Sequence, residues 1–424
     1  MSTRREALAL GAGATVAAVA TSPAAAVAAP RSSPPAWVGT WAAVPTTIPP
    51  GPPTVLRDQT VRQVVHTSAG GDQLRIRLTN EFGATPLRIG EVRVGLRAGS
   101  GASTDVVRGT SRRVTFSGRA GITIPAGAPA VSDPARVGVP DGGDLVISIY
   151  LPEPAPVTTL AAFAFQDNVI ADGNVTASAT VTPAGTIEQY LFLSGVSVRT
   201  AGSAIVALGD SITNGANTRN NLNHRWPDLL AARLRAARSD RGVVNLGVSG
   251  NRLLHDPNPP AGDPAEAYAA YFGQSALRRF DRDVLAQPAA SHLIVLLGVN
   301  DLGHPGTAAP ASEVVSAPDV IGGHRQLIAR AHQAGLRAYG ATILPFRGDT
   351  LGFWSAENER KRGAVNQWIR DSGEYDAVID FDAATRDTGD PLRLRAEYDS
   401  GDHLHPNDAG MAAMADAVPL HLFR

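Results

Sequence analysis

Hydrophobic positions along this chain follow two different rhythms, and the change falls near Thr200. From about residue 37 to residue 198 the pattern is one of short alternating runs, 60–67, 73–78, 87–96, 113–116, 145–151 and 189–198, separated by Gly, Pro and Asp. Leu74, Ile76 and Leu78 alternate with Arg75, Arg77 and Thr79, the period of two expected of a strand with one buried face. Several such strands with turn residues between them predict an all-β sandwich, jelly-roll-like, over 35–200. Trp37, Trp41 and Phe82 are its candidate sugar platforms, although an aromatic side chain in a sandwich more often belongs to the core.

Beyond Thr200 the apolar runs become continuous, at 204–208, 243–246, 293–297, 338–344 and 377–381, as in strands buried on both faces. Helix-length segments lie between them, at 226–237, 277–285, 320–334 and 357–369, and Leu230, Leu234 and Ala237 share one helical face. Strict alternation of strand and helix predicts right-handed crossovers and a parallel sheet covered on both sides, over 201–424.

The length of 424 residues suits two folded units better than one, because single cores stop growing near ~250–300 residues. With 39 acidic against 38 basic residues, nothing suggests a nucleic-acid partner. Lys361 is the one lysine, in a charged stretch that reads as a solvated helix face, so lysine-based phosphate or Schiff-base chemistry elsewhere is excluded. There is no cysteine, which removes disulfides, thiol catalysis and Cys-based metal sites together. At the start, Arg4 and Arg5 precede a weakly apolar run, 7–20, that ends in small residues by Ala29. This resembles a twin-arginine export signal over 1–29 and falls short of a stable membrane span; the expected location is extracellular.

Candidate chemistry collects where a parallel sheet opens into loops, at the carboxyl ends of its strands. The first such strand runs into Gly209-Asp210-Ser211-Ile212-Thr213-Asn214-Gly215, the second into Asn245 to Asn251, the third into Gly298-Val299-Asn300-Asp301, and after the fifth comes Asp399 to Pro406. A serine hydroxyl becomes a nucleophile when an imidazole removes its proton and a carboxylate orients that imidazole. Ser211, His405 and Asp402 supply the three groups; His403 is the rival base, but it adjoins Asp402, and neighbouring side chains tend to point apart. The tetrahedral intermediate needs pre-set donors, for which the candidates are the Ser211 and Gly250 N–H groups and the Asn300 amide. Pro406 is expected in the first turn of the final helix.

These blocks resemble the SGNH, or GDSL-type, hydrolases over about 203–424. The family's four letters match Ser211, Gly250, Asn300 and His405 in order, and Asp402 matches its D-x-x-H aspartate; one departure is Ile212 where the lipase-type motif has Leu. The resemblance implies a flavodoxin-like three-layer α/β/α domain, ester hydrolysis and no cofactor. No metal-ligand spacing joins the scattered histidines. Asp210 is expected to hydrogen-bond its own turn; with Asn251, Asp301, His255 and His304 it is also a candidate contact for substrate. A sandwich ahead of such a domain suggests acetyl or other short acyl esters of carbohydrate, with polysaccharide as a candidate partner. The competing readings are a lipase or arylesterase, glycosidic or transferase chemistry on the same scaffold, and an inactive carbohydrate-binding protein. Specificity is expected to reside in the loops 251–274 and 304–318, both longer than usual connections.

Overall fold

The computed structural model describes residues 35–424; the export leader read at 1–29 lies outside the described residues. The antiparallel part contains the main strands β1 (Ala36–Ala42), β2 (Gln59–His66), β3 (Leu74–Thr79), β4 (Glu91–Ala98), β5 (Asp144–Leu151), β6 (Asn168–Asp172) and β7 (Leu193–Thr200). One sheet runs β1-β7-β3 and ends on Pro129–Val131; the other runs from Gly185–Ile187 through β6-β2-β5-β4 to Asp105–Val106. Leu74, Ile76 and Leu78 of β3 are wholly buried and join Val61, Val92 and Ile147 from the facing sheet in one core. The expected run 87–96 divides at Gly90, and Leu87–Ile89 pairs separately with Ile122–Ile124. The run 189–198 divides at Phe192, whose φ of 57° interrupts the ladder.

Strand β1 escapes a search for alternation because five consecutive residues from Val38 to Ala42 are buried. One face meets the sandwich; the other lies along the edge of the second sheet. That sheet is wholly parallel and comprises β8 (Ala204–Gly209), β9 (Gly242–Gly247), β10 (Ala290–Leu296), β11 (Arg337–Ala341) and β12 (Ala377–Ile379), in the order β9-β8-β10-β11-β12. The open edge of β9 is a row of unpaired backbone groups unless something covers it. Here Val243 N–H donates to Ser68 Oγ at 2.8 Å, Ser68 Oγ donates to Thr40 O at 2.7 Å, and Gly39 N–H donates to Pro288 O at 3.0 Å. A Cβ on Gly242 would stand 2.3 Å from Gly39 O, so the close approach requires glycine. Pro34–Arg424 accordingly forms one compact unit.

The helices are α1 (Ser211–Asn214), α2 (Trp226–Ala236), α3 (Ala276–Phe280, continued by a π turn to Leu285), α4 (Val299–Gly303), α5 (Ala317–Gln333), α6 (Ala356–Asp371), α7 (Phe381–Thr385) and α8 (Asp408–Ala417). Ile205, Ala207 and Ile294 point to one face, under Trp226, Leu230 and Met411. Val206, Leu208 and Val295 point to the other, under Phe280, Leu327 and Val365. This is why the strands read as unbroken apolar runs, and it gives the three-layer α/β/α arrangement with flavodoxin-like strand order. Pro406 lies before the last helix and not inside its first turn: Asn407 is the N-cap, accepting from Ala409 and Gly410 N–H, the role a short amide side chain fills best. Among the described residues no helix is long and apolar enough to cross a membrane.

Candidate active site

Strand β8 is the second strand of the parallel sheet, with β9 and β10 on either side, so the chain leaves it at the topological switch point. Asp210 caps α1 by accepting Ile212 N–H at 3.0 Å, and Ser211 is the first helical residue, 6% exposed. Its hydroxyl is 2.8 Å from His405 Nε2. His405 Nδ1 is 2.5 Å from Asp402 Oδ2. The other carboxylate oxygen, Oδ1, accepts Leu404 N–H at 3.0 Å and His405 N–H at 2.8 Å, so one side chain folds the turn and aims the imidazole. Asp402 also accepts from Asn217 Nδ2 at 2.8 Å and Ser400 Oγ at 3.1 Å. These bonds and the facing imidazole hold its carboxyl below the usual range despite burial. His403, with φ of 60°, turns away and bonds Asp399 at 2.5 Å.

Three candidate donor residues, Ser211, Gly250 and Asn300, border one cavity. Among the described residues, the Ser211 and Gly250 amides engage no backbone carbonyl. Asn300 gives one amide hydrogen to Asn251 O at 2.9 Å, which leaves the second. Gly250 has a φ of 77°, and a Cβ there would lie 2.0 Å from the Phe272 ring; only glycine admits this backbone. Ser211, Gly250, Asn300 and His405 all line one cavity of about 520 Å3.

Of the candidate substrate contacts, His304 alone reaches that cavity. Asp210, Asn251 and Asp301 are buried and hold backbone instead, which corrects the expectation that they meet substrate. Asn251 Nδ2 donates to Phe272 O and Gln274 O, each at 2.8 Å. Asp301 accepts Leu253 N–H at 2.7 Å and Leu254 N–H at 2.9 Å, and burial raises its carboxyl. Burial likewise pushes Asp210 up to about 7. His255 lies near Asp301, Glu313 and Asp319 and is not in the cavity lining.

Several site residues were invisible to motif reading. Arg279, wholly buried, donates Nη2 to Gly209 O at 3.2 Å and Leu246 O at 3.1 Å, and Nε to Asn251 Oδ1 at 3.1 Å. It ties the nucleophile strand to its neighbour and to the glycine loop. Burial lowers its pKa to about 10, so it stays charged near neutrality. The available signal was its place three residues after Ala276 on the buried stripe of α3. Asn217 and the ring-bearing walls of the cavity, Phe163, Phe165, Tyr268, Phe272 and Phe353, carry no such signal. Phe163 and Phe165 come from the sandwich, in a segment held by Asn214 Nδ2 on Phe163 O at 3.1 Å, Asn221 N–H on Phe165 O at 3.0 Å and Arg225 Nη2 on Ala164 O at 2.9 Å. The sandwich therefore builds one wall of the cavity. Of the candidate sugar platforms, Trp41 is core, edge-on to Tyr190, whereas Trp37 and Phe82 lie against Arg75 and Arg282.

An open parallel sheet carrying a buried serine, an imidazole and a carboxylate in hydrogen-bonded series defines a serine hydrolase, and its reaction class is ester hydrolysis. Residues 207–413 of the chain match the GDSL-like Lipase/Acylhydrolase family. Among solved structures it is similar to an alpha/beta hydrolase enzyme from the metagenome of Lake Arreo, Spain (20% identity over 51% of this chain and 93% of that one, TM-score 0.37). It is also similar to an acetyl xylan esterase (17% identity, 50% and 96%, TM-score 0.35). A third is a Corynascus thermopiles carbohydrate esterase family 2 enzyme with a carbohydrate-binding domain (13% identity, 90% and 96%, TM-score 0.38). No curated protein matches the chain in sequence.

Proposed function

We propose that Ser211, His405 and Asp402 act as the catalytic triad of a metal-independent carboxylic ester hydrolase that works through an acyl-enzyme. The observation that carries this reading is the unbroken relay from Ser211 Oγ through His405 to Asp402, at 2.8 Å and 2.5 Å. Ser211 Oγ attacks the ester carbonyl carbon while its proton passes to His405 Nε2. The carbonyl oxygen, now an anion, takes hydrogen bonds from the Ser211 and Gly250 N–H groups and the Asn300 amide. As the tetrahedral centre collapses, its bond to the alcohol oxygen breaks and His405 returns the proton to that oxygen. Water then attacks the acyl-Ser211 with His405 as base, releasing the acid and the free serine.

Glycosidic cleavage calls for a pair of carboxylates facing the bond to be broken. Among the described residues no Asp or Glu lines the cavity, which favours the ester reading. Acetyl and other short acyl esters of carbohydrate are open to this chemistry, since attack by Ser211 is indifferent to what lies beyond the carbonyl; the cavity decides which esters bind. The Arg4-Arg5 leader supports export, and replacing both arginines with lysine is expected to leave the protein inside the cell. The mechanism is tested with a nitrophenyl ester series from acetyl to octanoyl in the presence of chelator. The wild type is expected to turn over, and Ser211→Ala to lose on the order of six decades of kcat. Equal rates for the two proteins refute the assignment.

A further inference from the structure

The cavity beside Ser211 holds a polar group that the mechanism does not use. His304 follows Asn300 by one helical turn and is 4% exposed. Its ring lies between two cavity walls, 5.1 Å from the Phe272 centroid and 5.4 Å from that of Phe353, edge-on to the latter. Neither ring nitrogen has a protein partner among the described residues, and neither is sealed off from the cavity. His324 provides the contrast: its Nδ1 is 2.6 Å from the Tyr375 hydroxyl and its Nε2 is enclosed, as befits a core residue. Burial drives the His304 pKa down to about 3, so near neutrality the ring is uncharged and offers one donor and one acceptor.

The surroundings are aromatic. Phe163 and Phe165, near parallel at 6.5 Å, form the wall supplied by the sandwich. The volume of about 520 Å3 lies within the ~300–1,000 Å3 typical of sites that enclose a small organic ligand. An acetyl group leaves most of that space unfilled. A simple alkyl chain covers the phenyl walls but also strips water from the His304 nitrogens without replacing it, a loss that a site pairing those nitrogens avoids. A flat ring satisfies the walls, and a hydroxyl on that ring satisfies the imidazole.

We propose that this cavity takes a hydroxyaryl group of the ester substrate, packed among Phe163, Phe165, Phe272 and Phe353 with its hydroxyl bonded to His304. The proposal rests on the ester-hydrolase reading of Ser211. The ring can belong to the acyl or to the alcohol half of the ester, and two substrate pairs separate these sources. One pair is methyl para-hydroxyphenylpropanoate with methyl phenylpropanoate; the other is para-hydroxyphenethyl acetate with phenethyl acetate. In one pair the hydroxylated ester is expected to show a kcat/KM about tenfold higher. His304→Phe, which keeps a ring between Phe272 and Phe353, is expected to bring that ratio near one, and His304→Gln to retain part of it. Because the readout is a ratio within one protein, loss of folded enzyme does not mimic the effect. The proposal is overturned if the wild type shows no preference in either pair, or if His304→Phe keeps the wild-type ratio. Cleavage of phenethyl acetate without preference overturns it while leaving the Ser211 reading intact; no cleavage of any ester overturns both.

Discussion

Replacing Arg279 with methionine tests whether a residue remote from the reacting atoms positions the site. The substitution preserves much of the apolar stem and removes three charge-assisted hydrogen bonds of 3.1–3.2 Å, to Gly209 O, Leu246 O and Asn251 Oδ1, together with a longer one of 3.5 Å from Nη1 to Asp283 Oδ2. At ~1.5–3 kcal/mol net for each, the simple sum is several kcal/mol. Two features reduce it. Gly209 O keeps the Val248 N–H at 3.1 Å, and Asp283 keeps Arg282 at 2.8 and 3.0 Å, so its carboxylate is not left alone. The expected loss of stability is therefore ~3–5 kcal/mol, the range for breaking one side of a buried charged contact. The glycine loop and the serine strand also lose their shared anchor. A displacement of ~1 Å in the reacting groups costs about a hundredfold, so kcat is expected to fall by that order while KM changes little. Urea unfolding followed by tryptophan fluorescence, with steady-state kinetics on the folded fraction, reads both quantities. Arg279→Lys keeps the charge without the planar fork and is expected to fall between wild type and Arg279→Met. An unfolding midpoint and kcat both equal to wild type in Arg279→Met would refute the tethering role.

Two further outcomes follow from the site. The folded-state pKa of Asp210, about 7, lies above its unfolded value, so its contribution to stability is fully present below about pH 4 and is lost as pH rises through about 7. Asp210→Asn does not titrate, so its thermal stability relative to wild type is expected to increase across that window, by on the order of 4 kcal/mol at most; a difference independent of pH contradicts the buried, proton-binding carboxyl. Gly250→Ala forces a Cβ to within 2.0 Å of Phe272 at a φ of 77°, so the loop must move and carry its N–H away from the carbonyl oxygen. A loss of kcat of about two to three decades is expected, with the cooperative unfolding transition retained; unchanged kcat shows that the Gly250 amide does not serve the reaction.

The layered plan of the catalytic region was legible in the sequence because its cause is local. A strand buried on both faces requires an unbroken apolar run, and a surface helix requires a stripe, so 204–208 and 226–237 announce β8 and α2 to within a residue or so. The order of Ser211, Gly250, Asn300, Asp402 and His405 at successive strand ends was also there to be read, since in a parallel sheet every strand delivers its loop to the same rim. The choice between His403 and His405 was less accessible: it depends on a turn in which His403 takes a positive φ.

The rest depended on contacts between segments far apart in the chain. Local pattern alone does not tell that β1 is buried on both sides, because one of those sides is the edge of a sheet formed two hundred residues later. Asp210 and Asp301 looked like substrate ligands by position, yet the backbone N–H groups around them required acceptors and claimed their carboxylates. With aromatic residues at only 5% of the chain, composition gave no hint of a ring-lined cavity; folding gathers Phe163, Tyr268, Phe272 and Phe353 from three separate loops to enclose one. The sequence by itself determined the strand and helix types and the chemistry of the rim, through periodicity and residue type. Only the tertiary structure decided which polar side chains face substrate, because that depends on which backbone groups each must satisfy first.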